Sequence, residues 1–347
     1  MIHTNKLNSK ITLQPIFSYK ILFDALYKKN EQSKLIMTNS ARSSLHISLS
    51  SLLNIDNKIE NIFLPDLICN EIIPLITNLD INIIFYSVDE NLNPDVNFIE
   101  DNIKNKLSVI LIVNYFGKLS DWNSLLDLKR KYNCIIIEDN AHTLFGKYND
   151  INLGELGDIS FNSLRKVIPV LSGSVLKYNK LNSQINLKKR LPNYTEFKYS
   201  LRGLKLKSIK QQNNLEINKK ITTYDETLSI DYFSEKIFAN LCKNESGICS
   251  RRKENYRFWE NYLKSTELEI LDISSSSCPY AMPCIYHDNK IAQKWISWGL
   301  INNINIIRWP LLPRLKSHKL KNKKLANILL FPVNHMHKLS SMELIDA

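Results

Sequence analysis

Two side chains carry the clearest chemistry in this sequence. The apolar run Ile135-Ile136-Ile137 leads into Glu138-Asp139-Asn140-Ala141-His142, and a second run, Ile159-Ser160-Phe161, leads into Asn162-Ser163-Leu164-Arg165-Lys166. If the two runs are strands of a parallel sheet, Asp139 and Lys166 arrive at the same sheet edge, where open α/β proteins keep their ligand crevices. One carboxylate and one amine facing a crevice suit pyridoxal 5′-phosphate (PLP). The lysine forms a Schiff base with the aldehyde, and the carboxylate keeps the pyridine nitrogen protonated so that the ring accepts electrons. By themselves the two residues also fit a strand-end surface lysine and a turn-capping aspartate.

Glycine usage points to the same stretch. The chain has eight glycines in 347 residues, about 2% where ~7% is usual. Gly117, Gly146, Gly154, Gly157 and Gly173 all fall between positions 117 and 173. A chain so sparing of glycine places it where backbone geometry leaves no alternative.

The elements that would position these residues alternate. Residues 1–34 read as a leader with one helix near 16–29, and an amphipathic helix over 40–53 follows, with Leu45, Leu49, Leu52 and Leu53 on one face. Strands at 61–64, 81–86, 108–113 and 134–138 alternate with helices at 70–78, 96–104 and 122–132. Wholly apolar strands such as Val109-Ile110-Leu111-Ile112-Val113 are covered on both faces, which defines an α/β class with a mostly parallel sheet. Residues 180–227 form a basic connector that closes a large domain, 1–227. Residues 228–347 form a small α+β domain, helical over 228–265, with strands at 280–286, 304–308 and 328–331 and helices near 288–299 and 339–345.

Composition excludes several classes. With 44% hydrophobic and 23% charged residues the chain is globular, and no apolar run approaches the ~20 residues of a membrane span. Met1-Ile2-His3-Thr4-Asn5-Lys6 lacks a signal-peptide pattern, so a cytoplasmic protein is expected. Six cysteines without C-x-x-C spacing give no zinc site of the usual kind, and His335 and His337 are a disfavoured metal pair. The net charge of +12 is clustered at 188–220 and 308–324. Such patches attract a phosphorylated substrate, an anionic membrane or nucleic acid, and no nucleic-acid recognition motif accompanies the charge.

The sequence has no G-x-G-x-x-G, P-loop, G-x-S-x-G or H-E-x-x-H motif. What it has, across about residues 35–335, resembles the DegT/StrS-like sugar aminotransferases, PLP-dependent enzymes of fold type I. The resemblance rests on Ile137-Glu138-Asp139-Asn140-Ala141-His142, then Gly154-x-x-Gly157-Asp158, then Ser163-Leu164-Arg165-Lys166-Val167-Ile168-Pro169-Val170. Asn114-Tyr115-Phe116-Gly117, Ser40-Ala41-Arg42-Ser43-Ser44-Leu45 and Arg308-Trp309-Pro310 add to it.

The resemblance implies that Lys166 is the Schiff-base lysine and that Asp139 partners the pyridine nitrogen. It also places His142 near the cofactor's 3′-oxygen and Ser163 on its phosphate. Arg42 and Ser43, at a helix start, suit the same phosphate. Cys69 stands where many relatives stack an aromatic ring, and Gly173-Ser174 stands where relatives usually carry two glycines. The implied activity is transfer of an amino group, from glutamate, to a nucleotide-linked keto-sugar by a homodimer. The lysine disfavours the related dehydratases, which carry histidine there. The departures at 69 and 174 leave open an inactive relative that binds a sugar nucleotide or acts as a structural partner.

Overall fold

Strands of consecutive apolar residues need helices on both faces of their sheet, and this requirement shapes the large sheet. The computed structural model describes residues 10–26, 35–55, 59–103, 107–132, 134–179, 185, 187–196, 227–276, 278–315, 317–342 and 344. In chain order the strands are β1 (Ile36–Thr38), β2 (Asn61–Pro65), β3 (Asn82–Tyr86), β4 (Ser108–Val113), β5 (Ile135–Asn140), the hairpin β6 (Lys147–Tyr148) and β7 (Ile151–Asn152), β8 (Ile159–Asn162), β9 (Ser174–Tyr178), β10 (Lys188–Arg190), β11 (Leu228–Asp231), β12 (Glu269–Ile270), β13 (Ala281–Ile285), β14 (Ile307–Trp309) and β15 (Ile328–Pro332).

Nine of them form one mixed sheet in the order β10-β11-β1-β9-β8-β5-β4-β2-β3. The five strands from one edge, β3-β2-β4-β5-β8, are parallel throughout. Alternation along β4 assigns the two faces. Val109 and Leu111 pack with Leu45, Leu49 and Leu52 of the helix Ala41–Ile55. Ile110 and Ile112 pack with Ile99 and Ile103 of one helix and Trp122, Leu125 and Leu128 of another, Trp122–Tyr132.

A second, antiparallel sheet has the order β12-β13-β15-β14. The helices Glu245–Leu263 and Asn289–Ile301 cover one of its faces. There Phe331 meets Trp259 at 5.1 Å and Trp295 at 5.5 Å between ring centroids. These residues belong to the same buried cluster as Ile110 and Trp122, so the two sheets share one core.

Two local expectations change. Residues 228–231 are a strand rather than the start of a helix, because Ser229 pairs with Thr38 on β1 and extends the large sheet. The helix expected over 339–345 is one 3₁₀ turn, Leu339–Ser341. Most of the basic connector, 197–226, lies outside the described residues.

Candidate active site

The parallel strands deliver their chemistry to their carboxyl ends. Four residues past the end of β2 comes Cys69, directly past β4 comes Asn114, near the end of β5 is Asp139, and four residues past β8 is Lys166. The registers Val113↔Asp139 and Asp139↔Phe161 hold these ends level. β1 is antiparallel to β9, which is antiparallel to β8, so β1 ends at the same edge and the helix Ala41–Ile55 starts there.

Asp139 and its neighbour Glu138 point to opposite faces of β5 and do different work. Glu138 is fully buried and accepts the N–H groups of Gly154 at 2.9 Å, Leu156 at 3.3 Å and Gly157 at 3.4 Å, with Asn140 Nδ2 at 3.0 Å. It therefore gathers the glycine turn and is structural. Among the described residues Asp139 accepts one local side-chain bond, from the Ala141 N–H at 2.8 Å. Burial pushes its carboxyl up to about 6, against the pull of the Ala141 N–H and the charge on Lys166.

Lys166 lies on the one-turn helix Leu164–Val167, with Nζ 5.8 Å from the centre of the Tyr280 ring. Burial is the largest influence on its amine and draws it below the usual lysine range. The charge on Asp139 is the strongest opposing influence, and Cys69 and Glu71 act in the same sense. Asp139, Cys69 and Lys166 are thus within electrostatic reach of one another. Arg42 completes the group, through a 3.9 Å pairing with Glu71 and its repulsion of the half-buried Arg165.

The remaining expected residues are placed less uniformly. Ser43 is fully buried near the start of its helix, where Ser40 Oγ accepts its N–H at 3.2 Å and lies 3.0 Å from its Oγ. Ser163 precedes the lysine helix without capping it by its side chain, and its carbonyl accepts the Lys166 N–H at 3.1 Å. His142 has both ring faces covered, by Phe116 at 5.4 Å and Tyr280 at 5.0 Å. Its Nδ1 accepts the Phe116 N–H at 3.2 Å, which puts the ring proton on Nε2. Burial, then the charge on Lys166, holds His142 well below the ordinary histidine range. A neutral, edge-presenting donor results, since neither face is free for stacking.

The structure adds two residues that no motif announced. Tyr280, just before β13, lies between the His142 ring and the lysine; its hydroxyl bonds with Gln14, and its N–H donates to Phe116 O at 2.7 Å. Arg252 donates to the carbonyls on either side of that contact. The only sequence signal for it was its place in the basic run Arg251-Arg252-Lys253 beside an aromatic face.

Two positions in the glycine window bear on this site. Gly117 has φ +96°, and a Cβ there would come 2.7 Å from the Cys278 carbonyl. The turn after β4 can approach the Tyr280 loop only because that side chain is missing. Gly173 has φ +124° and lies against Ile230 and Leu164, 2.5 and 2.9 Å from a Cβ position. Ser174, by contrast, has room. Its Oγ accepts from Ser44 Oγ at 2.9 Å, and Ser44 Oγ is 2.7 Å from Thr38 Oγ1, so three buried hydroxyls link β9, the helix and β1. Ser174→Ala leaves the Ser44 hydroxyl without its acceptor and is expected to lower stability in urea unfolding by about 1–2 kcal/mol.

The α/β architecture, with Asp139 and Lys166 at the carboxyl ends of a mostly parallel sheet and a small α+β unit after it, is a fold shared with solved sugar aminotransferases and a PLP-binding dehydratase. Helicobacter pylori PseC, an aminotransferase involved in the biosynthesis of pseudoaminic acid, superposes with a TM-score of 0.66 over 96% of both chains at 16% identity. An E. coli GDP-4-keto-6-deoxy-D-mannose-3-dehydratase with bound hydrated PLP gives 0.65 over 95% of this chain and 97% of its own, at 15% identity. The model of the DegT/DnrJ/EryC1/StrS aminotransferase family matches residues 23–171 of this chain. Among curated relatives, the UDP-4-amino-4,6-dideoxy-N-acetyl-beta-L-altrosamine transaminase of Campylobacter jejuni is 28% identical over 57% of this chain and 58% of its own. The UDP-4-amino-4-deoxy-L-arabinose–oxoglutarate aminotransferase of Shewanella sediminis is 28% identical over 41% of this chain. The alignment spans only 36% of that relative's length.

Proposed function

We propose that this protein is a PLP-dependent aminotransferase that moves an amino group, from glutamate, onto a nucleotide-linked keto-sugar in the synthesis of a surface polysaccharide or related glycan. The observation that carries the reading is the placing of Lys166 within the field of Asp139: a half-buried lysine whose amine is drawn below its usual range, beside a buried carboxylate. The donor set suits the cofactor. A carboxylate raised to about 6 and relieved by neighbouring positive charge is a natural acceptor for a ring N–H⁺. A helix start beside Arg42 offers N–H groups and positive potential to a phosphate.

Bound PLP would supply an aldehyde and an electron-accepting ring. The chain's own residues do the rest. Asp139 would hold the proton on the ring nitrogen, and His142 would offer the Nε2–H of a neutral imidazole. Lys166, with its proton affinity lowered by burial, takes and returns a proton at Nζ. Cys69 would present a small side chain to the group in place of the aromatic ring that the resemblance leads one to expect. Lys166 also favours amination over the dehydratase chemistry of one structural neighbour, which the shared fold alone does not distinguish.

A homodimer working in the cytoplasm fits this reading. No helix among the described residues is long and apolar enough to cross a membrane. Leu191 and Tyr194 are 67% and 78% exposed next to β10, the edge strand of the large sheet, and such apolar exposure suits a subunit contact. The test is direct. Protein reconstituted with PLP should show a visible absorbance band that borohydride bleaches, and should release 2-oxoglutarate from glutamate when given a nucleotide keto-sugar. The absence of any such band would overturn the reading in favour of a non-catalytic family member.

A further inference from the structure

Arg252 is wholly buried, and no carboxylate pairs with it among the described residues. Burying a guanidinium without a counter-ion is costly, and here carbonyl dipoles are its compensation. Nη1 donates to Pro279 O at 3.1 Å and Tyr280 O at 3.4 Å, while Nη2 donates to Val167 O at 3.0 Å and Lys166 O at 3.4 Å. One rigid fork therefore joins two segments whose other link is apolar packing, of Cys278 in one cluster with Leu164, Val167 and Ile168. One carries the lysine and the other the tyrosine, whose ring its amine faces.

We propose that Arg252 is the positioning residue for Lys166: by tying the carbonyls of Lys166 and Val167 to those of Pro279 and Tyr280, it sets where the lysine amine stands relative to the Tyr280 ring and Asp139. The inference builds on the aminotransferase reading, in which that placement matters. A merely structural arginine would stabilise the helix Glu245–Leu263 without affecting the amine. A positioning arginine also keeps Nζ inside the buried field made by Asp139, Cys69, Glu71 and Arg165.

The experiment compares wild type, Arg252→Met, Arg252→Lys and a structural control, Asn255→Ala. Asn255 lies on the same helix and bonds to the carbonyls of Val333, Asn334 and His337. Cofactor-free protein is treated with trinitrobenzenesulfonate across a pH series, and modification of Lys166 is followed by peptide mass. Returning the amine to an ordinary lysine environment raises its proton affinity, so its free-base fraction at pH 8 falls. Arg252→Met should therefore label Lys166 severalfold more slowly, Arg252→Lys to an intermediate extent, and Asn255→Ala at the wild-type rate despite lower stability. In protein loaded with PLP, Arg252→Met should reduce kcat about tenfold while KM for glutamate stays within twofold, and should shift the pH titration of the visible band. Wild-type labelling in a folded Arg252→Met overturns the proposal. So does the failure of both arginine variants to fold while Asn255→Ala folds, because the residue would then serve general stability. If wild type shows no visible band, the aminotransferase reading falls, and the labelling comparison still decides the role of Arg252.

Discussion

Lys166→Ala is expected to remove the visible absorbance and covalent trapping of added PLP completely, and to lower turnover by about 10⁴-fold, the upper range for a positioned acid–base group. The size follows from how singular this amine is. Nζ is placed by a one-turn helix at the end of β8 and shares a buried field with Asp139. The neighbouring cation Arg165 is half-buried, and its charge opposes that on Lys166. The fold should survive, since Lys166 contributes no side-chain ion pair among the described residues, so the far-ultraviolet circular dichroism should match wild type. Retention of a borohydride-stable PLP adduct in Lys166→Ala would show that another amine serves and would end the assignment.

Asp139→Asn is expected to lower activity by ~10²–10⁴-fold while making the cofactor-free protein more stable at pH 8. The second effect has a definite sign. The carboxyl is raised from 3.8 to about 6 in the fold, so ionised Asp139 costs stability above pH 6 and costs nothing below pH 4. Two pKa units correspond to about 3 kcal/mol, an upper bound here because Asn also removes the favourable field on Lys166. Urea unfolding without PLP should show the variant up to about 3 kcal/mol more stable at pH 8, with the difference shrinking as pH falls from 6 toward 4. An Asn variant less stable than wild type at pH 8 would mean that Asp139 is a structural acid. That cost is the expected signature of a carboxylate whose burial outweighs the field of Lys166.

The legible and illegible parts of this protein separate by range. The strands of the large sheet followed from consecutive apolar residues, and β4 lies where its pattern places it, at Ser108–Val113. Residues 228–231 were misread because their strand exists only through pairing with Thr38, about 190 residues earlier, against a local pattern that favours helix. Ser174 looked like a defect against the expected glycine. Its accommodation depends on Ser44 and Thr38, which reach it from other elements. Gly117 and Gly173 were flagged by rarity alone, and the contacts that demand them, with Cys278 and Ile230, are likewise remote in sequence.

By itself the sequence determined the sheet class, the candidate pair Asp139 and Lys166, and the helix start bearing Arg42 and Ser43. These depend on local periodicity, residue chemistry and spacing along one strand-turn-helix unit. Tertiary structure alone decided that Asp139 is raised and Lys166 lowered, that His142 is enclosed between two rings, and that Arg252 is a buried fork rather than one more surface cation. Those properties come from which atoms exclude water around a group and which carbonyls face it, and distant segments supply both.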